Sequence, residues 1–241
     1  MHHAASTSGI GDTRMALNGS AALAMWWQVS PEVREEFEDW HSHEHFPERL
    51  SIPGFRRASR WTQAAGGEGV FVMYELEAYA VMSSDRYLAR LNAPSHWSMR
   101  MMSHHRNMIR TQCRVLDSRG TSTSAHAITA RLSPAPGREA QLRSSLKAMI
   151  DRLHDAPGLT GMHLLQHQAP PIAQTTEQKM RGSDQAADWI LIACGYDALR
   201  VAGLAEGEWT AQALASLGAM PSRHVDHLVL SHTATPADME A

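Results

Sequence analysis

Apolar runs and helical stripes alternate along this chain, and their order repeats once. Short apolar runs bounded by turn residues are typical of buried strands, whereas apolar positions spaced three and four residues apart predict helices. The strands predicted in this way are residues 21–29, 55–63, 70–76, 108–116, 125–132, 159–166, 189–194 and 225–230. The predicted helices are residues 31–45, 84–107 with an interruption at Pro94, 138–155, and 209–217.

Each half of the chain therefore has the order strand, helix, strand, strand, helix, strand. This βαββαβ order is that of a ferredoxin-like unit, so we predict an α+β fold with two such units in tandem. The expected organisation is a flexible N-terminal tail (1–19), a first unit (20–118), a linker (119–124), a second unit (125–234) and a C-terminal tail (235–241). A Pro/Gln-rich insertion at 169–188 in the second unit is expected to be a surface loop.

Composition narrows the class of protein only a little. The 241 residues are 43 % hydrophobic and 20 % charged, with a formal net charge of −3. This balance gives no electrostatic reason to expect nucleic acid or a membrane surface as a partner. No apolar run is long enough to cross a bilayer, and the first 19 residues lack the apolar core of a secretory signal, so we expect a cytoplasmic protein. The two cysteines do not form a disulfide framework.

The first predicted helix ends in an unusual cluster of histidines around a carboxylate. Val33, Phe37 and Trp40 form its apolar stripe, and at 100° per residue Glu44 falls at the centre of that stripe. A carboxylate in such a position must be paired, hydrogen-bonded or in a cavity, because burying it alone is expensive. Glu44 is therefore a candidate for acid–base chemistry.

Two interpretations of this cluster stay open. In the first, Glu44 holds His41 or His45 as a general base. In the second, Glu44 forms a structural ion pair with Arg49 or Arg56. The i, i+4 spacing of His41 and His45 would also suit two metal ligands, but the sequence offers no third, so we predict no metal site.

Further candidates come from the second helical region and from the strands. Trp97 and His104 share a helical stripe, which predicts that His104 faces inward, although a structural core histidine would show the same pattern. Trp26, Trp27 and Tyr74 lie on predicted strands. Because successive strand residues alternate faces, one of the two tryptophans should face the helices and the other the space between sheets, where it would suit an aromatic substrate.

Several motifs resemble a known superfamily. These are Trp40-His41, Glu44-His45, Pro47-Glu48-Arg49-Leu50, Ile52-Pro53-Gly54-Phe55 and Tyr87-Leu88-Ala89-Arg90-Leu91. They resemble the dimeric α+β barrel superfamily, and within it EthD-like proteins. The resemblance implies a four-stranded antiparallel sheet with two helices, facing a second sheet across a small cavity. Here the second half of the chain would supply that sheet, giving a pseudo-dimer and leaving association into a homodimer open.

The resemblance implies several chemistries, since the superfamily includes cofactor-independent monooxygenases, isomerases, dehydratases, cyclases and haem-using enzymes. We expect an enzyme that acts on an apolar or aromatic oxygenated metabolite by proton transfer, without a cofactor. His41 or His45 would be the base, Glu44 would orient it, and Arg49 would stabilise an enolate-like anion. One alternative is a non-catalytic ligand-binding or accessory protein of an oxygenase system. A weaker alternative is haem binding, with His104 or another inward histidine as axial ligand.

Overall fold

A closed β-barrel forms the centre of the molecule. The computed structural model describes residues 16–169, 175–177 and 187–239. The strands in these ranges are β1 (Ala21–Gln28), β2 (Phe55–Gln63), β3 (Gly69–Leu76), β4 (Arg106–Gly120), β5 (His126–Pro134), β6 (Leu159–His167), β7 (Trp189–Gly195) and β8 (Ala219–Ala234). Their order around the barrel is β1-β3-β2-β8-β5-β7-β6-β4, and all neighbours are antiparallel.

The barrel confirms the tandem α+β arrangement. Strands β1 to β4 come from the first half of the chain and β5 to β8 from the second. The two four-stranded sheets join along β2–β8 and β4–β6, where antiparallel pairs form. One chain thus closes the barrel that the pseudo-dimer interpretation predicts, and closure leaves no open sheet edge.

Helices cover the outside of each sheet. Over the first sheet lie α1 (Arg34–Trp40), a π-helical turn (His41–His45), α2 (Phe46–Leu50), α3 (Asp85–Asn92) and α4 (His96–Met102). Over the second sheet lie α5 (Glu139–Leu153), α6 (Ala198–Gly203) and α7 (Ala211–Leu217). In the described ranges, no helix combines the length and the apolar character that a membrane crossing requires.

Strand alternation divides the apolar side chains into three layers. On β1, Ala22, Ala24 and Trp26 face the barrel interior, while Leu23 and Trp27 pack beneath the helices of the first half. The third layer lies beneath the helices of the second half. The prediction that Trp26 and Trp27 serve opposite faces is thus confirmed.

One end of the barrel is closed by residues that were predicted to belong to the flexible N-terminal tail (1–19). Leu17 is 1 % exposed and belongs to the interior cluster. Its N–H donates to Ser118 Oγ at 3.0 Å, and the N–H of Asn18 donates to Glu75 Oε2 at 2.7 Å. The expected boundary of the tail at residue 19 is therefore wrong, because residues 16–19 are held in place by buried partners. Residues 1–15 lie outside the described residues.

A buried histidine lies beneath this closure. His163 is fully buried, with Ser118 Oγ at 2.8 Å from its Nδ1 and the carbonyl of Thr121 at 3.1 Å from its Nε2. Because a carbonyl only accepts, Nε2 carries the proton and Nδ1 accepts from Ser118. Burial lowers the pKa of His163 to about 4, so the imidazole is neutral near pH 7.

Candidate active site between helix and sheet

The helix that carries the histidine cluster does not end at His45, where the predicted helix 31–45 ends. It continues through the π-helical turn His41–His45 into α2, and Phe46 keeps helical dihedrals. The N–H of Phe46 donates to the carbonyl of His41, five residues back. This wider turn accommodates Pro47, whose ring would clash with a carbonyl four residues back in a regular helix.

The extra residue in the π-helical turn rotates the face that the helix presents to the sheet. His41 and His45 are buried, whereas Glu44 is only partly buried, at the edge of the face. The expectation that Glu44 lies at the centre of the apolar stripe is therefore corrected, because it assumed 100° per residue throughout. π-Helical turns inside α-helices frequently occur at functional sites.

Glu44 makes structural hydrogen bonds rather than either of the expected pairs. Its Oε1 accepts from Trp40 Nε1 at 3.1 Å, Ser95 Oγ at 2.5 Å and Ser98 Oγ at 3.2 Å. Ser95 is the N-cap of α4. Glu44 thus ties the first helix to the start of α4. The two arginines considered as its partners pair elsewhere: Arg49 with Glu177, and Arg56 with Glu77.

The inner face of the π-helical turn and the first sheet enclose a pocket that we call the histidine pocket. It has a free volume of about 30 Å³, which is about the space that one water molecule occupies in the liquid. Its polar lining is Trp27, His41, His45, Arg49, Tyr74, Tyr87, His105, Arg110 and Glu177. Its apolar lining is Leu23, Met25, Leu91, Met102 and Met108.

His41 is a deeply buried histidine of this pocket. It is 1 % exposed, with its ring centroid 4.4 Å from that of Phe46 and 5.2 Å from that of His45. Burial holds the pKa of His41 well below its usual value, and the positive charges of Arg60 and Arg49 lower it further. Its imidazole is therefore neutral at physiological pH and available to accept a proton.

Three buried polar atoms of the lining have no hydrogen-bond partner among the described residues. They are His41 Nδ1, Tyr74 Oη and Trp27 Nε1. Buried polar atoms are nearly always paired in native proteins, and leaving one unpaired costs roughly 1–3 kcal/mol. Three such atoms thus lie around one pocket. Burial also raises the pKa of Tyr74, so its hydroxyl keeps its proton and can donate.

Two arginines place positive charge in the pocket. Arg49 is 3 % exposed, and its Nη2 donates to Glu177 Oε1 at 2.5 Å. Burial disfavours the charge of Arg49, but Glu177 together with Tyr87, Tyr74 and Glu48 more than offsets this and raises the arginine's pKa. Arg110 donates to Tyr87 Oη at 2.8 Å, which leaves the hydroxyl proton of Tyr87 free to be donated to another group.

The pocket thus brings together five of the residues selected from the sequence. They are Trp27, His41, His45, Arg49 and Tyr74. Two others lie apart from it: Trp26 faces the barrel interior, and Trp97 is partly buried against the core of the first half and donates to Glu36 Oε1 at 3.2 Å.

The histidine expected to face inward at the end of α4 is His105 rather than His104. The helix ends at Met102, so the helical stripe that selected His104 does not continue to it. His105 instead stacks on Trp27, with ring centroids 4.8 Å apart, and lines the histidine pocket. His104 is absent from the lining, which removes the observation that suggested it as a haem ligand.

Besides His105, three polar lining residues were missed as site candidates. Arg110 faces the helices because it alternates with Ile109 on β4, a signal present in the sequence once the strand is assigned. Tyr87 lies in the motif Tyr87-Leu88-Ala89-Arg90-Leu91, which resembles the dimeric α+β barrel superfamily, and this resemblance could have selected it. Glu177 belongs to the insertion that was expected to be a surface loop, yet its side chain is 3 % exposed. That part of the expectation is wrong; residues 170–174 and 178–186 of the insertion lie outside the described residues.

The equivalent layer of the second half is apolar in the residues that the structure describes. The inner face of α5 presents Leu142, Leu146, Met149 and Ile150, all buried in the apolar cluster beneath the second set of helices. Within the part of the chain that the structure describes, no group of three His, Cys, Asp or Glu side chains is arranged to hold a metal ion.

Neither protein-family models nor curated protein sequences give a match to this chain. Solved structures do. An anthrone oxidase-like protein superimposes with a TM-score of 0.63 at 8 % identity, covering 92 % of this chain and 95 % of that one. A candidate monooxygenase from Fusobacterium nucleatum gives a TM-score of 0.59 at 8 % identity, covering 90 % and 95 %. Another from Lactobacillus acidophilus gives 0.53 at 12 %, covering 90 % and 97 %.

These similarities extend over nearly the whole of each chain. They agree with the barrel topology described above: the chain has the ferredoxin-like dimeric α+β barrel fold, with both sheets in one polypeptide. At such low identity the comparison establishes the fold alone, and a fold can carry unrelated functions. Function must therefore be argued from the pocket.

Proposed function

We propose that this protein is an enzyme that deprotonates a phenolic or enolic small molecule in the histidine pocket. The observation that carries the proposal is the neutral, fully buried imidazole of His41, whose Nδ1 lacks a partner among the described residues. Isomerisation, dehydration, cyclisation and cofactor-free oxygenation of an aromatic metabolite can each begin with such a proton transfer.

The pocket supports both sides of this proton transfer. His41 accepts the proton from the substrate O–H or C–H. Arg49 and Arg110 stabilise the phenolate or enolate that forms, and the hydroxyls of Tyr74 and Tyr87 donate to its oxygen. The new negative charge in turn favours the protonated form of His41, because an opposite charge within a few ångströms raises the pKa of a base.

Glu44, expected to orient the imidazole, has a different part in this proposal. It holds the first helix against α4 and so fixes the π-helical turn that carries His41. The motif in residues 40–55 that resembles EthD-like proteins supplies His41, His45 and Arg49 to the pocket, and this likeness supports the proposal.

A ring-containing substrate needs more room than the free volume of about 30 Å³. Met102 and Met108 line the pocket, and methionine side chains are unbranched and adapt to irregular shapes. In this proposal their rotamers change when the substrate enters.

A chromophoric phenol tests the proton transfer without knowledge of the natural substrate. The probe is 4-nitrophenol, whose phenolate absorbs in the visible. At pH 6 we expect the wild type to bind it with a larger phenolate fraction than in free solution, and His41→Asn to lose at least half of that increase. His43→Asn is the matched control, since His43 belongs to the same cluster but is exposed.

Two results would contradict the proposal. One is binding of the probe with the same ionised fraction in the wild type and in His41→Asn, which would favour the non-catalytic binding protein. The other is the absence of binding at the pocket.

A turnover assay with anthrone follows, prompted by the anthrone oxidase-like structure. Anthrone and O₂ would give anthraquinone and water without an external reductant, monitored as O₂ uptake.

A further inference from the structure

A second cavity lies at the open end of the barrel and shares one lining residue, Trp27, with the histidine pocket, where the proton transfer is proposed. We call it the barrel mouth. Its volume is about 450 Å³, within the range of about 300–1,000 Å³ typical of small-molecule sites. Its lining is Trp26, Trp27, Gln28, Gln63, Gly69, Val70, Asn107, Ile109, Arg131, His224, Asp226 and Leu228. The opposite end of the barrel is closed around Leu17.

The interior face of the barrel mouth offers hydrogen-bond donors without partners. Trp26 is 6 % exposed, and its indole Nε1 has no partner among the described residues. The same is true of Arg131 Nε. The two side chains are adjacent, with the guanidinium carbon of Arg131 4.9 Å from the centroid of the Trp26 ring. Both unpaired atoms are N–H donors, so the missing partner is an acceptor.

The acidic group of the barrel mouth does not supply that acceptor. Asp226 Oδ2 accepts from Thr129 Oγ1 and from Arg131 Nη2, each at 3.4 Å, and Oδ1 lies 3.2 Å from His224 Nε2. Its oxygens are thus occupied by three neighbours. Burial lowers the pKa of Arg131, and Asp226 compensates only in part, so a further negative group beside the guanidinium is electrostatically favourable.

The remaining wall of the barrel mouth defines the body of the ligand. Val70, Ile109 and Leu228 present apolar surface next to the Trp26 ring, while Gln28 and Asn107 are hydrogen-bonded to each other at 2.8 Å. An apolar wall beside an arginine with a free donor suits a flat ring that bears a carboxylate. We propose that the barrel mouth is a second binding site, which takes a small aromatic carboxylate whose anionic group receives hydrogen bonds from Arg131 Nε and Trp26 Nε1.

Isothermal titration with 2-naphthoate tests this site on the full chain. The wild type is expected to bind one equivalent at the barrel mouth, and Arg131→Met to bind it at least tenfold more weakly. The neutral isostere 2-naphthamide should bind the wild type at least tenfold more weakly than the acid. Arg143→Met is the matched control, because it removes the same charge from the exposed face of α5 and should leave the affinity unchanged.

Two further variants separate this site from the histidine pocket and from misfolding. His41→Asn should leave the affinity for 2-naphthoate unchanged. Trp26→Phe keeps the ring and removes the indole N–H, and a roughly threefold loss is expected; it decides the matter if Arg131→Met does not fold. The proposal is overturned if the wild type shows no saturable binding at millimolar probe. It is also overturned if Arg131→Met and Arg143→Met have equal affinities, or if His41→Asn abolishes binding.

Discussion

The buried histidine at the closed end of the barrel makes the stability of the protein depend on pH in a calculable way. The pKa of His163 is about 4 in the folded protein, against 6.5 for an ordinary histidine. Between these two values the unfolded chain binds a proton that the folded protein does not. Stability therefore falls as the pH drops from about 6.5 towards 4 and levels off below that.

The size of the effect follows from the two pKa values. Each unit of difference between the two pKa values corresponds to about 1.4 kcal/mol. His163 therefore lowers the free energy of unfolding by about 3 kcal/mol in all as the pH falls, and about 2 kcal/mol of this occurs between pH 7 and pH 5. His163→Gln removes the titrating group. We expect the free energy of unfolding of this variant to fall by about 2 kcal/mol less than that of the wild type over the same interval.

Urea unfolding at pH 7 and pH 5 measures this difference. His96→Gln serves as the control because His96 is exposed, and it should keep the pH dependence of the wild type. His41, whose pKa is also lowered by burial, acts in the same direction in all three proteins and cancels in the comparison. Equal losses in the wild type and His163→Gln would refute the reasoning, because they would show that burial does not keep His163 neutral.

Two further predictions concern stability. Glu44→Gln should lower the free energy of unfolding by about 1–2 kcal/mol, because charged hydrogen bonds that join the first helix to α4 are weakened; a fall in the pKa of His41 by NMR would contradict this structural role. Gly120→Ala should lower the melting temperature, since Gly120 has φ +71° and an added Cβ would lie 2.1 Å from the carbonyl oxygen of Thr160. Gly137→Ala has a similar φ of +73° but open space around it, so a comparable loss there would show that the close approach is not the cause.

The fold was predictable because its strands are short apolar runs bounded by turns. The run predicted at 189–194 is β7 (Trp189–Gly195), buried along its whole length. The order of such runs gave both ferredoxin-like units, since antiparallel strands and short connections leave few arrangements. The ends of elements were less predictable: β8 runs from Ala219 to Ala234, well beyond the predicted residues 225–230.

The pocket was only partly predictable, for two physical reasons. The π-helical turn inserts one residue into the helical repeat, and the spacing of the apolar residues does not predict it. The helix face that contacts the sheet therefore carries His41 and His45 where Glu44 was expected. The second reason is distance along the chain. Arg49 and Glu177 are 128 positions apart, and only the closed fold brings them together.

Carrying both sheets in one polypeptide changes what a substitution can do. In a barrel made of two identical chains, every substitution occurs in both helix–sheet layers. A buried polar residue that serves catalysis therefore lowers the stability in both layers. Here each layer can accept replacements by itself. The layer beneath α5 keeps Leu142, Leu146 and Met149 and supports the barrel. The other holds polar atoms, such as His41 Nδ1, that have no partner among the described residues. In a variant library confined to the first layer, each substitution therefore lowers the stability of the barrel once, and not twice as in a barrel of two identical chains.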